Sequence, residues 1–132
     1  MHDPRVKRIL DLIKAVGGFD EDLEYLNAAS IQFKEPWMWP TARCTTYSQT
    51  CIRLSLQFFK WDANEQAQIL CHESIHCKQY KDGRLTWAKY LNPFSTIVKS
   101  KVEMEAGQEE SRWHAAWKAW SRMYPNEAKM YT

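Results

Sequence analysis

The heptapeptide Cys71-His72-Glu73-Ser74-Ile75-His76-Cys77 constrains this chain more than any other stretch. It carries the pattern His-Glu-x-x-His, and on an α-helix residues four apart project from the same face as neighbours. Its flanks agree. Asp62 followed three residues later by Glu65 forms a capping-box pattern, and Asp82-Gly83 supplies a helix stop. The spacing therefore predicts a central helix over 63–81, with Ala67, Leu70, Cys71, Ser74 and Cys77 as its packing stripe and the histidines at the stripe's edge. His72 and His76 then point two imidazoles at one zinc ion. A zinc ion with an open fourth position lowers the pKa of its water to about 7. Glu73 is placed to take that proton as general base during attack on a peptide carbonyl.

Composition sets the frame for this motif. A chain of 132 residues with 45% apolar content and seven tryptophans is expected to fold as one domain, 1–132, with a true core. The net charge of +2 selects no partner. Lys78, Lys81, Arg84, Lys89, Lys99 and Lys101, opposed only by Asp82, make a basic stretch. It lacks interleaved stacking aromatics in any nucleic-acid motif, so it reads as solvated surface and no nucleic-acid partner is expected. No apolar run approaches the roughly 20 residues that span a bilayer, and the polar, charged start at Met1-His2-Asp3-Pro4 is unlike a signal peptide. The expectation is a cytoplasmic or otherwise intracellular protein without a membrane partner, or one carried in a virion.

The four cysteines do not form a zinc ribbon. Cys44-x6-Cys51 and Cys71-x5-Cys77 miss the close pairs of structural zinc sites. Reduced thiols are the default without a secretory signal, although Cys44 and Cys51 could bridge a hairpin in an exported or particle-borne protein. Cys71 and Cys77 read as small core residues.

Taken in order, Asp3-Pro4 starts a helix bearing Val6, Ile9, Leu10, Ile13 and Val16, which Gly17-Gly18 ends. Asp20 is expected to cap a second helix to about Asn27, acidic outside, with Leu23 and Leu26 inside. Residues 30–34 form a candidate strand. The run Glu35-Pro36-Trp37-Met38-Trp39-Pro40 excludes regular structure, and its tryptophans are expected to wrap the core. Residues 43–58 look like an antiparallel hairpin with a break at Ser48-Gln49, in whose second strand Ile52, Leu54, Leu56 and Phe58 alternate with polar residues. A short helix is expected over 85–91 and a last helix over 101–123, with Val102, Ala106, Trp113, Ala116, Trp117 and Trp120 on its inner face.

Two histidines need a third ligand. The residues offer Glu103, Glu105, Glu109, Glu110 and His114. Glu105 lies about 200° around the helix from Glu103, so the two cannot face one ion, and His114 lies about 16 Å further along the axis. Ser100-Lys101-Val102-Glu103 also reads as a capping box, in which Glu103 would merely hold a backbone amide.

Over about 62–110 the chain resembles the small, minimal gluzincin metallopeptidases, through His72-Glu73-x-x-His76-x-x-Gln79, Gly83, Tyr90-Leu91 and Glu103-x-Glu105-Ala106. That resemblance implies an α+β zincin-like fold with a small antiparallel sheet on a helical layer. It implies zinc held by His72, His76 and Glu103, with Ala106 packing beneath the ion and Glu73 as the catalytic base. It further implies that the strand 51–58 is the edge beside the active-site helix, able to hold an extended peptide or protein substrate. Larger relatives place an aspartate four residues after the ligand glutamate to buttress a histidine; here that position is Gly107. The oxyanion donor is left among Tyr47, Tyr80, Tyr90, Arg112 and His114, with Tyr80 and His114 foremost. The rival expectation is a non-enzymatic component of a viral particle or other large assembly that keeps the fold and uses zinc as a staple.

Overall fold

The computed structural model describes residues 2–33, 44–86 and 96–132, and the statements below concern those residues. Helix α1 (Pro4–Val16) opens as expected, with Asp3 accepting from the Arg5 amide at 2.8 Å and Pro4 in the first turn. It ends at Gly17, whose φ of 83° suits a residue without Cβ. Val6, Ile9, Leu10, Leu12 and Ile13 face the core. Helix α2 (Asp20–Ala28) starts at Asp20 rather than being capped by it; Phe19 holds the cap position without a side-chain bond. Leu23 and Leu26 turn inward as expected, but so does Asp22.

The sheet corrects the expectation of a purely antiparallel one. Strands β1 (Ser30–Phe33), β2 (Cys44–Ser48) and β3 (Cys51–Leu54) lie in the order β1-β3-β2, with β2 antiparallel and β1 parallel to β3. The alternation of side chains says which face a strand buries but not which neighbour it takes, and the chain between β1 and β3 is long enough for a crossover. The hairpin is also shorter than 43–58. After Leu54 the chain turns into a 3-10 helix, Leu56–Lys60, whose start Ser55 caps by accepting from the Gln57 amide at 3.2 Å. Leu56 is consequently exposed while Phe58 stays buried. The strand at 51–54 is central, and β2, not β3, is the edge strand that reaches the helix carrying the histidines, through Thr46 and Glu73. Cys51 is a free thiol, and the register puts Cys44 opposite Leu54 and Cys51 opposite Ser48, too far apart along the hairpin for the disulfide considered above.

Helix α3 (Ala63–Lys81) keeps the expected bounds, with Asp62 accepting from the Glu65 amide at 2.9 Å. Helix α4 (Thr96–Met123) begins earlier than 101, which removes the capping box at Ser100: Glu103 sits two turns inside the helix. A short α5 (Pro125–Lys129) follows. The tryptophan loop at 35–40 and most of the 85–91 helix lie outside the described residues.

Helices α3 and α4 run antiparallel. Asn64 meets Trp113, His72 meets Glu110, and Gln79 meets Val102. Trp113 is fully buried, donates its indole N–H to Asn64 Oδ1 at 2.9 Å, and meets the Phe19 ring edge-on at 5.3 Å. Trp117 and Trp120 continue the ladder and are partly buried against the core. Cys71 and Cys77 are fully buried core residues.

On the far side of α3 from the sheet, Asp22 joins α2 to both long helices. Ser74 Oγ donates to it at 3.2 Å, and Arg112 stands 3.6 Å away while clasping Glu109 with bonds of 2.6 and 2.9 Å. Burial, and then the hydrogen-bonded charge of Glu109, push the Asp22 carboxyl up to about 8. Burial would raise Glu109 too, but Arg112 holds it below the usual carboxylate range, so the pair carries one shared proton at neutral pH. The folded state keeps a proton that the unfolded chain releases near pH 4, so stability falls as pH rises from about 4 through about 8. Asp22→Asn, which keeps a donor for Glu109, should flatten that slope and raise stability at pH 8 by on the order of 1–2 kcal/mol. Urea midpoints for both proteins at pH 5 and pH 8 check this.

Candidate metal centre

The five candidates for a third ligand have separate fates, because α4 turns each to a different neighbour. Glu105 points to Arg84 and pairs with it. Glu109 belongs to the Arg112 and Asp22 cluster. His114 is solvent-exposed and lies beyond the reach of the histidines. Glu110 stands beside His72, with Oε1 2.8 Å from Nδ1 in an ion-pair contact outside good hydrogen-bond geometry. Only Glu103 joins both imidazoles, with its carboxylate oxygens 3.5 Å from His72 Nε2 and 3.3 Å from His76 Nε2. The two Nε2 atoms are themselves 3.1 Å apart.

The contacts run to different oxygens of Glu103, Oε2 for His72 and Oε1 for His76, and with one donor atom taken from each residue the three lie within 4.8 Å of one another, close enough to converge on one ion. Donors at about 2.0–2.1 Å from a tetrahedral zinc lie roughly 3.3 Å from one another. The protonation pattern points the same way. Gln79 Oε1 lies 2.8 Å from His76 Nδ1, and an amide oxygen can only accept, so Nδ1 carries the proton. Glu110 Oε1 stands beside His72 Nδ1 without bonding it, so no hydrogen bond fixes that ring's tautomer. The Nε2 lone pair of His76 is aimed at His72 Nε2 across 3.1 Å with a carboxylate alongside, where a cation, proton or metal, satisfies all three groups. His72, His76 and Glu103 thus form a group able to bind a metal ion. Without one, a proton takes the role. Burial would lower both imidazoles, but the Glu103 carboxylate and then the charge of Glu73 more than offset it, raising His72 and pushing His76 up to about 9. Bonding to His72 and His76 in turn holds Glu103 well below the usual carboxylate range.

The centre has a closed side and an open side. His76 is buried and His72 is partly so, whereas the Glu103 side chain is half-exposed. Glu73 is 5% exposed, accepts a hydrogen bond of 2.5 Å from Thr46 Oγ1 on β2, and is near enough for its charge to raise both imidazoles. Ala106 is fully buried one turn beyond Glu103. Of the two candidate oxyanion donors, Tyr80 is half-buried one turn beyond His76 and His114 is exposed one turn beyond Glu110. Tyr90 lies outside the described residues.

A Cβ at Gly107 would meet nothing within 4 Å, and Glu110, one turn later, is the carboxylate beside His72. The signal was present: positions seven apart differ by about 20° on a helix, so Glu110 shares the face of Glu103. Thr46 had no such signal, since only the pairing of β2 beside α3 brings it to Glu73.

The chain matches no family model, no curated protein and no solved structure in the comparisons made with them. Among the described residues no helix is long and apolar enough to cross a membrane.

Proposed function

We propose that the chain is a zinc-dependent peptidase of zincin-like type, with His72, His76 and Glu103 as ligands and Glu73 as general base. The observation that carries this reading is the meeting of two Nε2 atoms and one carboxylate at 3.1 to 3.5 Å, with His76 Nδ1 bonded to an amide oxygen. A zinc ion in such a three-ligand site supplies a polarised carbonyl and a water acidic enough to lose its proton near neutral pH. The residues of the chain do the rest. Glu73, anchored at one oxygen by Thr46, has a second oxygen with which to take that proton and pass it to the leaving amine. The half-exposed side of Glu103 leaves an approach for substrate. Strand β2, which pairs on one side only among the described residues, offers main-chain groups along which an extended peptide could align.

A second reading has its own support. Glu73 is buried and engaged by Thr46, which suits a carboxylate that ties β2 to α3 in a metal-stapled assembly protein such as a virion component. One experiment addresses both. Protein purified at neutral pH should carry about one zinc per chain and cleave a mixed pool of fluorogenic peptides; a chelator should abolish cleavage and added zinc restore it. Zinc without cleavage would favour the staple, and a chain that takes up no zinc would end both readings.

A further inference from the structure

Gln79 is fully buried and has two partners, one for each end of its amide. Its Nε2 donates to the main-chain carbonyl of Val102 at 3.0 Å, and its Oε1 faces His76 Nδ1 at 2.8 Å. Val102 O can only accept, so the amide has no freedom to flip: the nitrogen must face α4 and the oxygen must face the imidazole. Val102 also immediately precedes Glu103 in α4, so one turn of backbone presents the carboxylate and orients the amide.

We infer that Gln79 is a positioning residue that, held by the Val102 carbonyl, keeps the proton of His76 on Nδ1 and so leaves its Nε2 lone pair free for the metal. The inference rests on the metal-centre reading and deepens it. Its consequence is that the His76 tautomer needed for metal binding exists only when α4 is docked on α3. Free imidazole has no such restriction, and a flipped amide would present N–H groups to Nδ1 and place the proton on Nε2, where it blocks the metal. His72 has no such hydrogen bond, because Glu110 stands beside its Nδ1 without bonding it.

The test compares Gln79→Met with Gln79→Glu. Methionine has similar volume and offers Nδ1 no oxygen; glutamate offers Nδ1 an acceptor in either rotation, and as the neutral acid its hydroxyl donates to the Val102 carbonyl in place of the amide N–H. Zinc affinity is measured by competition with a chromophoric chelator, with far-UV circular dichroism as the check on folding. Gln79→Met should bind zinc about 10–100-fold more weakly than wild type, and Gln79→Glu should stay close to wild type. Wild-type affinity in Gln79→Met, or an equal fall in both variants, would overturn the inference. Nitrogen-15 NMR of the metal-free proteins, at a pH above the His76 titration, reads the tautomer directly. The proton should sit on Nδ1 in wild type and Gln79→Glu and move to Nε2 in Gln79→Met, and a wild-type proton on Nε2 would sink the inference whether or not zinc binds. A wild type that holds the Nδ1 proton yet binds no zinc would instead refute the metal-centre reading alone.

Discussion

Glu73→Gln should lower peptide hydrolysis by about 10²- to 10⁴-fold while zinc stays bound and the chain stays folded. The side chain keeps its shape and still presents an oxygen to Thr46 Oγ1, so the bond that ties β2 to α3 survives. What is lost is the ability to take a proton and return it. The three proposed ligands are untouched, so zinc content measured on the purified variant should match wild type. Turnover of the fluorogenic peptide pool at saturating zinc reads the loss. Unchanged turnover would remove Glu73 as base, whereas a zinc-bound parent without turnover, destabilised by chelator but not by this substitution, would support the staple.

Glu103→Gln should weaken zinc binding by about 100-fold or more, a larger loss than removing an orienting partner such as Gln79. An amide oxygen carries no net charge and cannot balance two imidazoles and a divalent ion. The loss also appears as stability. A ligand present at 1,000 times its dissociation constant stabilises the folded state by about 4 kcal/mol, and a 100-fold weaker site forfeits about 2.7 of that. Thermal melts of both proteins with zinc and with chelator should show a wide gap for wild type and a narrow one for the variant. Equal gaps would mean that the ion, if bound, sits elsewhere. The metal-free fold also loses the ion pairs of Glu103 with the imidazoles, so the comparison is read from the gap between zinc and chelator within each protein.

The same residues show where local reasoning is reliable. Asp62, Glu65 and Gly83 bounded α3 because capping is a contest between a side chain and its own nearby amides, and it is settled within four residues. The inward faces of α1 and α4 followed the helical repeat for the same local reason. Strand 51–54 was legible, but its continuation to 58 was not: Ser55 chose to cap a 3-10 turn, a choice that alternation of apolar residues cannot reveal. The capping box at Ser100 failed because α4 starts a turn earlier, which freed Glu103 for the histidines.

By itself, then, the order of residues determined the two helices that matter, the placement of His72 and His76 on one face, and the choice of Glu103 among five candidates once a family pattern was laid over it. Tertiary structure alone decided that β1 joins parallel to β3, that Glu110 stands beside His72, that Thr46 holds Glu73, and that an uncharged amide bridges α4 and His76. The division has one physical cause. Caps and faces depend on neighbours within a turn or two along the chain, whereas partners across an interface depend on how two whole elements slide and rotate against each other, and the packing of the shared core sets that register.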